Sequence, residues 1–207
     1  MSALNELYDS IRCCEKCEIA RSRVKVVPGE GAEDAEIMFI GEAPGFYEDQ
    51  QGRPFVGPAG KFLDELLASI NLNRQKVYIA NVIKCRPPAN RDPLPQEILN
   101  CRHWLNRQIE IINPKAIVTL GRYSMAMFFP QKSISKIHGT AEKRNGKLYV
   151  AMYHPAAALH QGNLKDVIKA DFLKLPGYIA DNARPAEVQE EKKESVPIAK
   201  QLNMFED

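Results

Sequence analysis

Four short runs, Glu36–Ile40, Val77–Ala80, Ala116–Leu120 and Leu148–Met152, are apolar almost without interruption. A strand with one face in water alternates apolar and polar residues. A continuous apolar run fits a strand buried on both faces, as in parallel sheets. Between the runs lie helical patterns. Lys61–Leu67 carries apolar residues at helical spacing, and Pro95–Ile112 is opened by Pro93 and Pro95 and stopped by Asn113–Pro114. Strand–helix alternation of this kind predicts an α/β fold with a mostly parallel sheet and helices on both faces.

The 207 residues suffice for one core, or one core plus a tail. No apolar run approaches the roughly 20 residues that cross a bilayer. The opening residues lack the basic end and apolar stretch of a signal peptide, so no membrane association and a cytoplasmic place are expected, nucleoid-associated in a prokaryote. After Gly177 the chain turns Glu-, Lys- and Ala-rich. Such a stretch cannot offset its ordering entropy, so residues 1–182 read as one domain and 183–207 as a flexible tail. Gln201–Phe205 is similar to a weak sliding-clamp contact peptide, with the wrong spacing; a frayed end is the better reading. The tail is acidic, with four basic and six acidic side chains, against 28 and 26 in the whole chain. The body is therefore mildly positive, a slight hint of a polyanionic partner.

Cys14 and Cys17 form a C-x-x-C pair, and Cys85 and Cys101 lie far downstream. In a cytosolic protein such thiols point to metal or redox work rather than disulfides. Two close and two distant thiolates can converge on a tetrahedral zinc or on an iron–sulfur cubane. The ordinary alternative makes Cys85 and Cys101 buried core thiols. Cys13 is the leftover.

The residues at the carboxyl end of each apolar run are more informative. Gly41-Glu42-Ala43-Pro44-Gly45 and the stretch to Gly60 come after the first run, Asn81 after the second, Gly121-Arg122 after the third and His154-Pro155 after the fourth. In parallel α/β sheets ligands bind at the carboxyl ends of strands. Each residue has a plain reading: Glu42 and Glu48 as helix-start carboxylates, Asn81 as a turn cap, Phe55 as core, His154 as a loop histidine. Their joint placement on one rim argues for an active site. An amide reads a planar heterocycle, an aromatic ring stacks on a base, and an imidazole stabilises charge on a departing carbonyl oxygen. No P-loop lysine motif or dinucleotide fingerprint is present.

Gly41-Glu42-Ala43-Pro44-Gly45, Gly52-Arg53-Pro54-Phe55-Val56-Gly57, Asn81-Val82-Ile83-Lys84-Cys85-Arg86-Pro87-Pro88 and His154-Pro155, with the four cysteines, closely resemble the iron–sulfur class of uracil-DNA glycosylases, family 4, over roughly residues 10–175. The resemblance implies a three-layer α/β/α sandwich around a four-stranded sheet and a [4Fe–4S] cluster on Cys14, Cys17, Cys85 and Cys101. It further implies a monomer that removes uracil from single- or double-stranded DNA by hydrolysis of the N-glycosidic bond. By the same resemblance Asn81 reads uracil, Phe55 stacks on it, and His154 contacts its O2. The backbone of Gly41 to Ala43 touches the base, Glu48 crowds the C5 edge, and Glu42 acts near the water or sugar. Leu159 is a candidate wedge into the emptied stack, with a buried helix leucine as the alternative. Lys84 and Arg86, with Arg91, are candidate phosphate contacts, with a solvated face as the alternative.

Other uracil glycosylases carry a water-activating aspartate where this chain has Ala43, which leaves the general base open. Two rival readings share part of the pattern. One is a non-catalytic nucleic-acid-binding module stapled by zinc or a cluster; the other is a glycosylase of altered base preference.

Overall fold

The computed structural model describes residues 2–183. The flexible-tail expectation falls, beyond Ala183, outside the described residues. The strands are β1 (Glu30–Gly31), β2 (Ile37–Gly41), β3 (Tyr78–Asn81), β4 (Ala116–Leu120), β5 (Thr140–Arg144) and β6 (Lys147–Met152). The helices are α1 (Ala3–Arg12), α2 (Ile19–Ser22), α3 (Phe46–Gln51), α4 (Pro58–Ser69), α5 (Pro95–Ile112), α6 (Arg122–Phe128), α7 (Ile134–Ile137), α8 (Ala157–His160) and α9 (Leu164–Ala183).

One six-stranded sheet runs in the order β1-β3-β2-β4-β6-β5. The inner four strands are the apolar runs of the sequence, and neighbours among them pair in parallel. The expectation of four strands falls short by two. Antiparallel β1 and β5 close the edges. The first is only two residues long, and Thr140–Arg144 is polar and partly exposed. Short or charged edges of this kind resist further strand pairing.

Alternate residues of each inner strand enter opposite cores. Ile37 and Phe39 pack with Leu63 and Leu66 of α4 and Phe172 of α9. Met38 and Ile40 pack with Leu4 and Ile11 of α1 and Leu105 of α5. Helices therefore cover both faces, which is why these strands carry no polar alternation. Helix α5 has its proline at the first turn, and Glu97 accepts from the N–H of Leu94 at 2.8 Å. It stops at Asn113, in the left-handed region at φ 46°. No described helix is long and apolar enough to cross a membrane.

Register sets the site. Gly41 lies beside Asn81, and Leu120 beside Met152. All four inner strands thus end on one rim, and the loops that leave it carry the polar residues singled out above.

Candidate active site and metal centre

A cleft opens at this rim, lined among others by Glu42, Ala43, Glu48, Phe55, Asn81 and His154. Asn81 forms its floor. It is 2% exposed, and among the described residues its Oδ1 has no hydrogen-bond partner. A buried unpartnered acceptor costs about 1–3 kcal/mol, a cost that a ligand N–H would remove.

Phe55 leans over the same floor. Its ring stacks on the His154 imidazole, centroids 5.4 Å apart and planes 27° apart. Its backbone is left-handed, φ 53°, a region unfavourable to bulky residues. Arg74 holds it there, donating to the carbonyls of Pro54 at 2.9 Å and of Phe55, while its Nε donates to Asp64 at 2.6 Å. Two glycines make the approach feasible. A Cβ on Gly41 would lie 2.4 Å from Asn81 Oδ1 and 2.6 Å from Phe55 Cζ, and one on Gly60 would lie 1.7 Å from Phe55 O.

Glu48 is placed differently from a side chain that simply crowds a base. Its Oε1 accepts from the N–H groups of Val56 and Gly57, both at 2.9 Å, and its Oε2 from Gly45 at 3.1 Å. The carboxylate faces the cleft but also staples α3 to the loop that carries Phe55.

His154 lies just beyond β6 and accepts at Nδ1 from the N–H of Ala156, 3.1 Å away. That bond leaves the ring proton on Nε2. Burial pushes the imidazole down to about 4, against a smaller upward pull from Glu48. The ring is therefore a neutral donor at neutral pH. Glu42 goes the other way. Burial raises its carboxyl to about 7, Asp92 adds to the rise and Arg122 opposes it. A carboxyl poised near neutrality is suited to proton transfer. Asp92 and Arg122 pair at the mouth of the cleft. Sequence reasoning missed Asp92 as a site residue, and the only signal for Arg122 was its place directly after β4.

Leu159 lies on α8 and is 52% exposed, an apolar side chain in water beside cleft-lining Ala157 and His160. The buried-leucine alternative is thereby excluded. Arg86 lies over the Phe46 ring at 5.2 Å and donates to Asn90 at 2.7 Å. Lys84 corrects an expectation: at 1% exposure it cannot reach a phosphate. Its ammonium donates to the Asn81 carbonyl at 2.8 Å and to Gln108 Oε1 at 2.6 Å, deep between sheet and α5. Arg91 is also engaged, with Glu97 at 2.6 Å.

Behind the rim, Cys14, Cys17, Cys85 and Cys101 line one recess. Cys85 and Cys101 are buried, Cys14 and Cys17 half-buried, and Cys13 exposed. Burial raises the thiols of Cys17, Cys85 and Cys101, the last to about 12, and each is raised further by charge on neighbouring thiols. Two side-chain donors face the sulfurs, Arg23 to Cys85 Sγ at 3.2 Å and Trp104 Nε1 to Cys14 Sγ at 3.4 Å, and the Lys84 backbone N–H donates to Cys101. Among the described residues no three His, Cys, Asp or Glu side chains are grouped to hold one metal ion. Four cysteines lining one recess, with no histidine or carboxylate among the lining residues, are a soft donor set that fits a thiolate-held cluster. The segment after the first pair is tied to the active-site loop, because buried Asp49 of α3 accepts from the N–H of Val24 at 3.0 Å.

The sequence model described as the Uracil DNA glycosylase superfamily matches residues 28–174. The chain is 46% identical over 185 residues to a Type-4 uracil-DNA glycosylase of Sulfurisphaera tokodaii, with 84% of each chain covered. It is 46% identical over 184 residues to one of Archaeoglobus fulgidus, covering 84% of this chain and 92% of that one. A third, of Thermotoga maritima, is 42% identical over 83% of this chain and 92% of its own. Rim, buried amide, stacked ring and thiol recess thus lie in a chain whose sequence places it plainly: it belongs to the uracil DNA glycosylase superfamily, in the type-4 branch.

Proposed function

We propose that this chain removes uracil from DNA, hydrolysing the C1′–N1 bond and leaving an abasic site, the first step of base excision repair. The observation that carries the reading is the buried, unpartnered Oδ1 of Asn81 on the floor of the cleft. Uracil offers a donor at N3 and an acceptor at O4, so one amide satisfies both edges. Cytosine offers an acceptor at N3 and a donor at N4, the reverse pattern.

A uracil in duplex DNA must leave the stack to reach Asn81, at a cost of a few kcal/mol. Leu159, exposed beside the cleft, fills the gap, and Phe55 stacks on the extruded base. Glu48 occupies the C5 side while fixing the Phe55 loop. As the C1′–N1 bond breaks, positive charge grows on the sugar and negative charge on uracil. His154 Nε2–H donates to O2 of the departing anion; one such donor is worth about 3–4 kcal/mol. Backbone groups of Gly41 to Ala43 hold the base edge. Glu42, ionised, stabilises the sugar cation and takes the proton of the water that adds to C1′. No nucleophilic lysine is used, so the DNA strand stays unbroken.

The thiol recess would hold a [4Fe–4S] cluster on Cys14, Cys17, Cys85 and Cys101. It supplies a structural tie between the N-terminal segment and the rim, with no part in bond cleavage. The enzyme works as a monomer in the cytoplasm, on single- or double-stranded DNA, with Arg86 at the phosphates. Oligonucleotides identical but for one U, T, C or hypoxanthine provide the test. Base release confined to U is expected; release of thymine or hypoxanthine at a comparable rate contradicts the pocket reading.

A further inference from the structure

Lys84 poses a problem in charge. Its ammonium is 1% exposed and held by two neutral acceptors, Asn81 O and Gln108 Oε1. Gln108 cannot turn away, because its Nε2 donates to Pro28 O and Tyr78 Oη, each at 2.8 Å. Among the described residues no carboxylate pairs with Lys84. A buried cation without an anion is strongly disfavoured.

The thiol recess is where an anion would stand. Lys84 lines the recess of the four cysteines. Four thiolates around Zn²⁺, or around a [4Fe–4S] core in its 2+ state, leave two negative charges. The recess lining holds two cations, Lys84 and Arg23, and no carboxylate. Two buried carboxylates of the neighbourhood, Glu97 and Asp49, are engaged elsewhere, by Arg91 at 2.6 Å and by the Val24 N–H at 3.0 Å.

We infer that Lys84 is a positioning residue that couples the thiolate centre to the active site. It supplies one of the two counter-charges to the thiolates. Through the Asn81 carbonyl it also fixes the peptide from which the base-reading amide projects. The inference rests on the metal-centre and Asn81 readings above.

Full-length Lys84→Met, Lys84→Arg and Arg23→Met proteins test it, beside wild type. The readouts are bound metal per chain, the half-time of metal loss to a chelator, and kcat and KM on a uracil oligonucleotide. Lys84→Met should lose metal at least about tenfold faster, as outer-shell changes at metal sites do, and should show lower kcat. Arg23→Met removes the other cation from a half-buried position and should speed metal loss without the loss of kcat that comes from a displaced Asn81. Lys84→Arg keeps the charge and should hold its metal as wild type does. Lys84→Met that keeps wild-type metal half-time overturns the inference. So does Lys84→Arg that sheds metal as fast as Lys84→Met. If Lys84→Met fails to fold, the Arg23→Met and Lys84→Arg half-times still decide. A wild-type chain without metal contradicts the centre itself and shows in its own metal content.

Discussion

The Nδ1 of His154 accepts the N–H of Ala156 at 3.1 Å, so the ring offers its remaining proton, on Nε2, to the cleft. With burial holding the imidazole down near 4 and Glu42 raised to about 7, the two groups titrate on opposite sides of the usual carboxylate-to-imidazole range. The acid limb of kcat should therefore track Glu42: activity falls as pH drops through about 7. Glu42→Gln should abolish that limb and lower the plateau. Stability runs in the opposite sense. A carboxyl whose folded value is raised favours the protonated fold, so its contribution is lost as pH rises from about 4.5 to about 7. Glu42→Gln should raise Tm at alkaline pH and not at acid pH. Thermal melts across pH, with the rate profile, check both; an acid limb that persists in Glu42→Gln assigns it elsewhere.

Glu48 accepts three backbone N–H bonds, from Gly45, Val56 and Gly57. Glu48→Ala leaves three donors without an acceptor and should cost about 2–4 kcal/mol of stability, measured by denaturant unfolding. Its kcat should fall too, because the loop that carries Phe55 is no longer fixed. A stable variant whose only change is thymine release would show that steric crowding is its whole role.

Arg74 never faces the cleft, yet it clasps the carbonyls of Pro54 and Phe55. Arg74→Met should cut kcat/KM about tenfold or more, as small misplacements of a stacking group do. Uracil in duplex and in single-stranded substrates should be affected alike. Unchanged kinetics would mean that packing against α4 alone holds the left-handed Phe55.

Leu159 is 52% exposed. Leu159→Ala should leave stability within about 0.5 kcal/mol, lower excision from duplex DNA and spare excision from single strands. Equal losses on both substrates would remove the wedge role.

Much of the fold is legible in the residue pattern, for physical reasons. The inner strands stand out because burial on both faces forbids polar residues, and α5 because Pro95 and Asn113-Pro114 bracket it. Edge strands β1 and β5 are hidden, the first by its two-residue length and the second by its charged, half-exposed pattern. Glu42, Asn81 and His154 are legible because each lies within two positions of the end of an apolar run. Lys84 misleads because a lysine is ordinarily at the surface. Its burial depends on Gln108, 24 positions away, and on the thiol recess. The staple made by Glu48 and the clasp made by Arg74 are contacts to backbone, and no residue pattern marks them in advance.

Base release from a single-uracil oligonucleotide, by protein purified anaerobically with its metal and by Asn81→Ala prepared in the same way, tests uracil excision at its root. Wild type should yield free uracil, an alkali-labile abasic site and no strand cleavage. Asn81→Ala should lose the equivalent of about 1–3 kcal/mol or more in kcat/KM, with stability little changed because Oδ1 has no partner to lose. Uracil-containing DNA left intact by the metal-loaded protein, or uracil released equally well by Asn81→Ala, would contradict the role given to this amide.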